Sequence, residues 1–244
     1  MKHGSLFTGI GGFDLAAERV GFENIFQVEK DKFCQKVLEK NFPNVKRYLD
    51  IKDFDGTEYR NRIDILSGGF PCQPFSQAGK RKGDKDERAL FGEMFRIIRE
   101  VQPLWILAEN VGGVLSIHNG QYFEEICTSL EGEGYQVQPF IIPASAVNAP
   151  HRRDRIWIIA NSSSYGLEGW KLWELSSQAL ERQTKILYSA EKFGGNVLPG
   201  TCFCRKDDGL PDLLDRLKSL GNSIVPQIAE IIFQAIKEIE DKTK

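Results

Sequence analysis

The sequence predicts an α/β fold with a doubly wound, mostly parallel sheet. Short apolar runs alternate with amphipathic stretches of helical length, at intervals of about 20 to 30 residues, and this order is typical of parallel sheets. The chain has 244 residues, of which 41% are hydrophobic and 27% charged, enough for one domain with a sizeable core. The alternation stops at Asn161, and periodicity returns only after residue 210.

The predicted strands are short apolar runs bounded by glycine, proline or polar residues. In chain order they are HGSLF, NIFQVEKD, RIDILSGGF, LWILAEN, YQVQPFIIPAS and DRIWIIAN. The predicted helices carry apolar residues at helical spacing. They are FDLAAERVGF, which stops near Gly21, DKFCQKVLEKNF, which ends before Pro43, GEMFRIIREVQ, QYFEEICTSLEGEG and the C-terminal stretch PQIAEIIFQAIKEI.

Composition divides the chain into three regions. Residues 1–160 carry the alternating pattern and are predicted to form the main domain. Residues 161–210 are rich in serine, glycine and charge, and are predicted to be a small insertion with little regular structure. Residues 211–244 regain periodicity and are predicted to return to the first domain.

Composition also narrows the class of protein. The five cysteines are an odd number and do not suggest a disulfide framework, so a reducing, cytoplasmic setting is expected. No apolar run is long enough for a membrane span. The formal net charge is −2, so a nucleic-acid partner would need basic residues gathered on one face. The pair of cysteines in CFC at 202–204 has no further Cys or His nearby, so no metal site is expected.

Two features indicate a nucleotide-type cofactor. FTGIGG places glycines between a strand and a helix, where a ligand can approach the backbone, although plain tight turns look similar. Glu29 follows at the end of the next strand, where an acid typically holds a pair of ribose hydroxyls, although it could equally be a solvated side chain. No G-K-[ST] follows the glycines, so an adenosine-containing ligand without a triphosphate fits better.

Three further features predict a reactive site at the carboxyl edge of the sheet. Cys72 lies between Pro71 and Pro74, directly after an apolar strand, which is a stiff setting for a reactive thiol. Glu109 ends the apolar strand LWILAEN, where it could face a ligand, cap a helix or pair with an arginine. The run HRRDR at 151–155 begins another strand, and period-two spacing would send Arg153 and Arg155 to one side of the chain, toward either a ligand or solvent.

Five motifs, in this order, resemble those of the cytosine-C5 DNA methyltransferases of bacterial or phage type. They are FTGIGGFDLA, GGFPCQPFSQAGK, ENV, HRRDR and LGNSIVP. The resemblance implies a Rossmann-like fold of the class I methyltransferases. It also implies S-adenosylmethionine as the cofactor, double-stranded DNA as the partner, and transfer of a methyl group to C5 of a flipped-out cytosine. Residues 161–210 would then be the target-recognition region.

The resemblance assigns roles to individual residues. Cys72 is implied as the nucleophile that adds to C6, Glu109 as the contact to N3 and the exocyclic amine, Arg155 as a contact to the base that favours the thiolate, and Arg153 as a support for the loop or a phosphate. The implied cofactor residues are Phe7, Gly9, Gly11, Gly12, Glu29, Asp50, Phe70, Leu90, Asn222 and Ser223. The implied DNA contacts are Lys80, Arg81, Lys82 and Arg205.

The chain departs from the family pattern at two positions. His151 stands where glutamine is usual, and Lys30 stands where many members have a tryptophan that stacks on adenine, so weaker cofactor binding is expected. A monomer is expected, and the sequence leaves open whether a cognate restriction endonuclease accompanies it.

Three other functions remain as alternatives. A tRNA cytosine-C5 methyltransferase would share the chemistry, but its Cys-Phe-Thr signature is missing from this sequence. A catalytically silent S-adenosylmethionine-binding protein would not need Cys72, Glu109 and the arginines. A flavin or nicotinamide oxidoreductase would account for the glycines and Glu29 but would leave Cys72 and HRRDR without a role.

Overall fold

The computed structural model describes residues 1–71, 84–147, 149, 153–162 and 222–243. Within them the strands are β1 (Lys2–Leu6), β2 (Glu23–Val28), β3 (Lys46–Tyr48), β4 (Ile65–Gly68), β5 (Trp105–Val111), β6 (Gln136–Pro143) and β7 (Asp154–Asn161). The helices are α1 (Gly12–Val20), α2 (Lys32–Asn41), α3 (Asp84–Val101), α4 (Gln121–Gly132) and α5 (Pro226–Thr243). Short 3-10 segments lie at Thr57–Tyr59, Gly112–Gly120 and Ala144–Val147.

These seven strands form one sheet in the order β3-β2-β1-β4-β5-β7-β6. The first five strands of that order are mutually parallel. β7 runs antiparallel to both of its neighbours, β5 and β6. Because only residues 144–153 join β6 to β7, the connection is too short for the helical crossover that a parallel pair needs. The predicted mostly parallel α/β sheet is confirmed.

Side chains alternate between two cores, one on each face of the sheet. Trp105 and Leu107 of β5 belong to one core, whereas Ile106 and Ala108 belong to the other. The first core contains apolar residues of α1 and α5, and the second contains those of α3 and α4. Successive residues of a buried strand point to opposite faces, so both faces must be covered by helices. This is the doubly wound arrangement.

Sequence signals explain most of the element boundaries. α1 ends at Gly21, whose φ of +85° is left-handed and whose N–H bonds to the Glu18 carbonyl. α2 begins after Asp31, whose carboxylate accepts hydrogen bonds from the backbone N–H groups of Phe33 and Cys34. The strand β3 was not predicted, because three polar residues, Lys46–Tyr48, carry too little periodicity to be recognised.

The C-terminal helix α5 packs on α1 at one face of the sheet. The Lys237 ammonium donates to the Val20 carbonyl at the end of α1, over 2.7 Å. The Trp105 indole of β5 donates to Glu240 over 2.8 Å. These contacts fix the end of the described chain to the sheet. Among the described helices, none combines the length and the apolar composition that a membrane crossing requires.

Candidate active site

A groove of about 700 Å³ lies at the carboxyl edge of the parallel strands. This volume is typical of small-molecule sites, and the carboxyl edge is where doubly wound sheets bind ligands. Ten of the residues predicted as site residues line it: Phe7, Gly9, Glu29, Asp50, Phe70, Leu90, Glu109, Arg155, Asn222 and Ser223. Residues distant in sequence, from the first strand to the C-terminal segment, therefore meet at one place.

The glycines at the junction of β1 and α1 have different surroundings. Gly9 lines the groove with a left-handed φ of +58°, and a Cβ added there would meet no atom within 4 Å, so the space before it is open to a ligand. At Gly11 an added Cβ would lie 2.4 Å from the Phe42 ring, and at Gly12 it would lie 2.6 Å from Ile224. The structure thus gives Gly11 and Gly12 packing roles, and their contact with a cofactor stays a prediction.

A cluster of buried polar side chains fixes the loop between β1 and α1. The fully buried Asp14 carboxylate accepts hydrogen bonds from Ser5 Oγ at 3.1 Å and from Gln27 Nε2 at 2.9 Å. Thr8 Oγ1 bonds to Ser5 Oγ at 2.8 Å and donates to the Val28 carbonyl. Burial raises the pKa of Asp14 to about 6, while these donors act in the opposite direction. The loop is therefore tied to both β1 and β2.

Glu29 is oriented by two backbone donors. Its Oε2 accepts the Gly9 N–H at 2.6 Å and its Oε1 accepts the Asp31 N–H at 2.7 Å. A carboxylate can accept about four hydrogen bonds, so each oxygen keeps capacity toward the groove. This geometry suits the predicted contact with a pair of ribose hydroxyls.

Asp50 also lines the groove, and its carboxylate forms an ion pair with Lys30. The Lys30 ammonium reaches Asp50 Oδ2 at 2.5 Å, and the Lys52 N–H donates to Oδ1 at 3.1 Å. The side chain of Lys30 is 77% exposed and that of Asp50 is 21% exposed. The hydrogen bond from Lys30 lowers the pKa of Asp50, with the Lys52 backbone contributing in the same direction. The lysine that replaces the expected tryptophan thus contacts the acid predicted to bind adenine.

The lining of the groove fits an adenosine-containing cofactor. Apolar side chains, among them Phe7, Ile51, Phe70 and Leu90, provide surfaces on which a purine ring could pack. Carboxylates at Glu29 and Asp50 provide acceptors for ribose hydroxyls and for an amine. The open face of Gly9 leaves room for a chain next to the backbone.

Glu109 lies at the far end of the groove, with its carboxylate almost removed from solvent. The side chain is 10% exposed, and an added Cβ at Gly69 would make a tight contact of 3.3 Å with Oε2, so a glycine at this position leaves room for the carboxylate. Burial raises the pKa of Glu109 to about 7, against the attraction of Arg155 and Arg153. Such a carboxyl group can hold or release a proton near neutral pH.

The two predicted arginines contact different partners. Arg155 Nε lies 2.9 Å from Glu109 Oε1, and its side chain is 19% exposed. Arg153 precedes β7 with a left-handed φ of +36°, so strand alternation does not set its direction. Its Nη2 donates to the Ser223 carbonyl at 2.7 Å and joins the arginine motif to the C-terminal motif. The predicted support of the loop or of a phosphate by Arg153 stays a prediction.

Asn110 is a site residue that sequence reasoning missed. It is 2% exposed, its Nδ2 donates to the Phe70 carbonyl at 3.1 Å, and its Oδ1 accepts the Val111 N–H at 2.8 Å. The amide therefore fixes the backbone that leads into Cys72 against the strand that carries Glu109. Its position inside ENV was the available signal, but its partner, the Phe70 carbonyl, lies after another strand, β4.

Several predicted site residues lie outside the described part of the chain. They are Cys72, Lys80, Arg81, Lys82 and Arg205, together with the atypical His151. Their assigned roles stay predictions. Pro71, the residue before Cys72, is described and lines the groove.

The chain is similar in sequence to a known protein family and to individual members of it. Residues 1–196 match the family model of the C-5 cytosine-specific DNA methylases. The chain is 40% identical over 159 residues to the Type II methyltransferase M.Eco47II of Escherichia coli, which is 64% of this chain and 38% of that protein. It is 32% identical over 217 residues to the Type II methyltransferase M.BsuFI of Bacillus subtilis, which is 86% of this chain and 52% of that protein.

A solved structure shows the same fold. A mutant of DNMT2 from Spodoptera frugiperda superposes with a TM-score of 0.57 at 25% sequence identity, over 70% of this chain and 51% of that chain. The chain spans about half, or less, of the length of each of these relatives. Because the family model covers most of the sequence, the chain belongs to the family of C-5 cytosine-specific DNA methylases.

Proposed function

We propose that this chain transfers a methyl group from S-adenosylmethionine to C5 of cytosine in double-stranded DNA. The observation that carries the proposal is the buried Glu109–Arg155 pair at the end of a groove suited to an adenosine-containing cofactor. Family membership supports the same reaction. The Type II methyltransferase names of the relatives further support a cognate restriction endonuclease in the same system.

The chemistry begins with Cys72. Its thiolate adds to C6 of the flipped-out cytosine, which breaks the C5–C6 double bond and makes C5 a nucleophilic carbon. S-adenosylmethionine, when bound, supplies the electrophilic methyl group for that carbon. Loss of the C5 proton and departure of the Cys72 sulfur then restore the double bond. Pro71 and Pro74 restrict the segment around Cys72, which favours presentation of the sulfur toward C6.

Glu109 supports the addition step. Attack at C6 increases negative charge on the base, and a proton shared with N3 neutralises it. A carboxyl group with a pKa of about 7 can supply that proton near neutral pH. Arg155 holds the carboxylate by its ion pair, and Asn110 holds the backbone before Cys72.

The remaining assignments complete the proposal. Residues 1–160 form the catalytic and cofactor-binding domain, 161–210 the target-recognition region, and 211–244 the segment that returns to the catalytic domain. The contact of α5 with α1 supports the last assignment. Lys80, Arg81 and Lys82 directly follow the nucleophile in sequence and would contact phosphates, as would Arg205.

Bisulfite sequencing tests the proposal. The chain is expressed in a bacterium that lacks its own C5 methylation, beside the variants Cys72→Ser and Cys127→Ser. Cys127 is a half-buried cysteine on α4 and provides the matched control. We expect methylcytosine in a repeated short context in the wild type and in Cys127→Ser, and none in Cys72→Ser.

Calorimetry with S-adenosylmethionine accompanies the sequencing. Cys72→Ser should retain cofactor binding, because the nucleophile acts on the base. Joint loss of methylation and cofactor binding in Cys72→Ser would contradict the assignment of Cys72. A wild type that binds the cofactor but leaves DNA unmethylated would point to RNA as the substrate or to a silent binding protein.

A further inference from the structure

The segment after β3 forms one wall of the cofactor groove and is held by α3. Asp50, Ile51 and Lys52 line the groove. From α3, the Arg96 guanidinium donates through Nη2 to the Ile51 carbonyl at 2.7 Å and through Nη1 to the Phe54 carbonyl at 3.1 Å. One side chain therefore fixes two peptide groups of the wall.

Two acids hold the guanidinium in place. Glu93 accepts from Nε at 2.9 Å, and Glu100 Oε1 accepts from Nη1 at 2.5 Å. The second oxygen of Glu100 accepts the Gly56 N–H at 2.8 Å, at the far end of the same segment. The planar fork of arginine can make all these bonds at once, whereas a lysine ammonium cannot match their directions.

The held segment has little freedom to move relative to the sheet. The side chains of Ile51 and Phe54 are buried in the core beside α3. The Ile51 carbonyl and the Lys52 N–H belong to one peptide group, and this N–H donates to Asp50 Oδ1 at 3.1 Å, so the peptide group that Arg96 fixes also holds the Asp50 carboxylate. Arg96 lies behind the wall and is not among the residues that line the groove.

We propose that Arg96 is a positioning residue for cofactor selection, which acts through the Ile51 and Phe54 carbonyls to aim the Asp50 carboxylate at the exocyclic amine of adenine. This inference rests on the proposed function, in which the groove binds S-adenosylmethionine. Arg96 sets how well the site distinguishes a purine with a 6-amino group from one with a 6-oxo group. Asp50 accepts a hydrogen bond from the former and repels the latter.

Calorimetry with two ligands tests this role. The ligands are S-adenosylhomocysteine and its inosine analogue, in which oxygen replaces the 6-amino group. The wild type should bind the adenine form at least about tenfold more tightly, the factor for one charged hydrogen bond. Arg96→Met should bind the adenine form about tenfold more weakly and lose the preference, and Arg96→Lys should fall between them.

Arg99→Met is the matched control. Arg99 lies on the same helix and makes an exposed ion pair with Glu133, and neither residue lines the groove, so affinity and preference should match the wild type. Thermal unfolding defines a temperature at which every variant is folded. If Arg96→Met is unfolded at all usable temperatures, Arg96→Lys must show the reduced preference.

The outcomes separate the two proposals. Equal affinities in the wild type and Arg96 variants would overturn the inference and leave the proposed function standing. Weaker binding of both ligands with an unchanged preference would show a general structural role and would also overturn it. Failure of the wild type to bind either ligand would overturn the proposed function, and this inference with it.

Discussion

The parallel strands and the antiparallel strand β7 supply different parts of the same groove. β1, β2, β4 and β5 all end at one edge of the sheet, so Phe7, Glu29, Phe70 and Glu109 meet there through connectivity alone. β7 brings its beginning to that edge, because Val111 at the end of β5 pairs with Arg155 at the start of β7. A parallel β7 would place Arg155 at the opposite end of β5, roughly 20 Å away.

The difference in strand direction indicates that the two regions contribute to different steps, cofactor binding and methyl transfer. The parallel strands hold the residues predicted to bind the cofactor, whereas β7 supplies the cation beside the acid. Substitutions in the two regions should therefore change different constants. Those at the ends of β1 and β2 should alter the cofactor Kd, whereas those in the pair formed by Glu109 of β5 and Arg155 of β7 should alter the rate of methyl transfer.

The largest effect is expected for Arg155→Met. Loss of the ion pair releases the Glu109 carboxylate from its fixed position, so kcat should fall about 100-fold or more. The cofactor Kd should stay within about twofold of the wild type. Single-turnover methylation and calorimetry provide the two values. Arg99→Met is the control, because Arg99 makes an exposed ion pair with Glu133 and neither residue lines the groove. A changed Kd with an unchanged kcat would reverse the proposed division.

The pH dependence of the rate should report on Glu109. Its pKa is raised from 4.5 to about 7, so the carboxyl group is mainly protonated below that pH and mainly ionised above it. The rate of methyl transfer should therefore fall as the pH rises through about 7, while deprotonation of Cys72 opposes the fall. Rate–pH profiles of the wild type and Glu109→Gln test this expectation.

In Glu109→Gln the falling limb should disappear, because an amide does not titrate in this range. In Arg155→Met the limb should move to higher pH, because Arg155 lowers the pKa of Glu109. If the rate of both Glu109→Gln and Arg155→Met falls over the same pH range as that of the wild type, the titrating group is not Glu109.

In the parallel part, Glu29→Gln should raise the cofactor Kd about tenfold. The amide keeps one acceptor for the Gly9 and Asp31 N–H groups and loses the charge that strengthens bonds to ribose hydroxyls. At saturating cofactor, kcat should stay within about threefold of the wild type. Glu23→Gln at the exposed beginning of the same strand should change neither constant. A large fall in kcat at saturation would place Glu29 in the chemical step.

The smallest effect is expected for Lys30→Gln. The substitution frees Asp50 Oδ2 from its ammonium partner, so the cofactor should bind more tightly, by less than about fivefold for so exposed an ion pair. Lys36→Gln removes the same charge from an exposed position on α2 and should leave the Kd unchanged. Calorimetry at low and high salt compares the two. Weaker binding in Lys30→Gln alone would mean that Lys30 itself supports the cofactor.

Most strands and helices could be predicted because hydrophobic periodicity and turn residues mark them in the sequence. The strands β1, β2 and β4 to β7 and all five described helices overlap predicted elements, although α3 begins eight residues before the predicted helix and α5 ends four residues after it. Most of the predicted groove residues follow a predicted strand or lie in one of the five motifs, whereas Asp50 and Leu90 were assigned by the family resemblance alone. Asn110, Gly69 and Arg96 were missed for a shared reason. Their partners are the Phe70 carbonyl, the Glu109 carboxylate and the Ile51 carbonyl, which no local pattern connects to them.

The sequence by itself determined the alternation of strands and helices, the glycine loop and the acids at strand ends, because hydrophobic period and turn chemistry are local properties. Only the tertiary structure decided the direction of β7, the pairing of Arg155 with Glu109 and the engagement of Asp50 by Lys30. The strand direction and the two ion pairs depend on which strands become neighbours and on how deeply each carboxylate is buried. Burial and long-range pairing arise only when both helical layers pack on the sheet, and together they set the protonation states of the acids in the site.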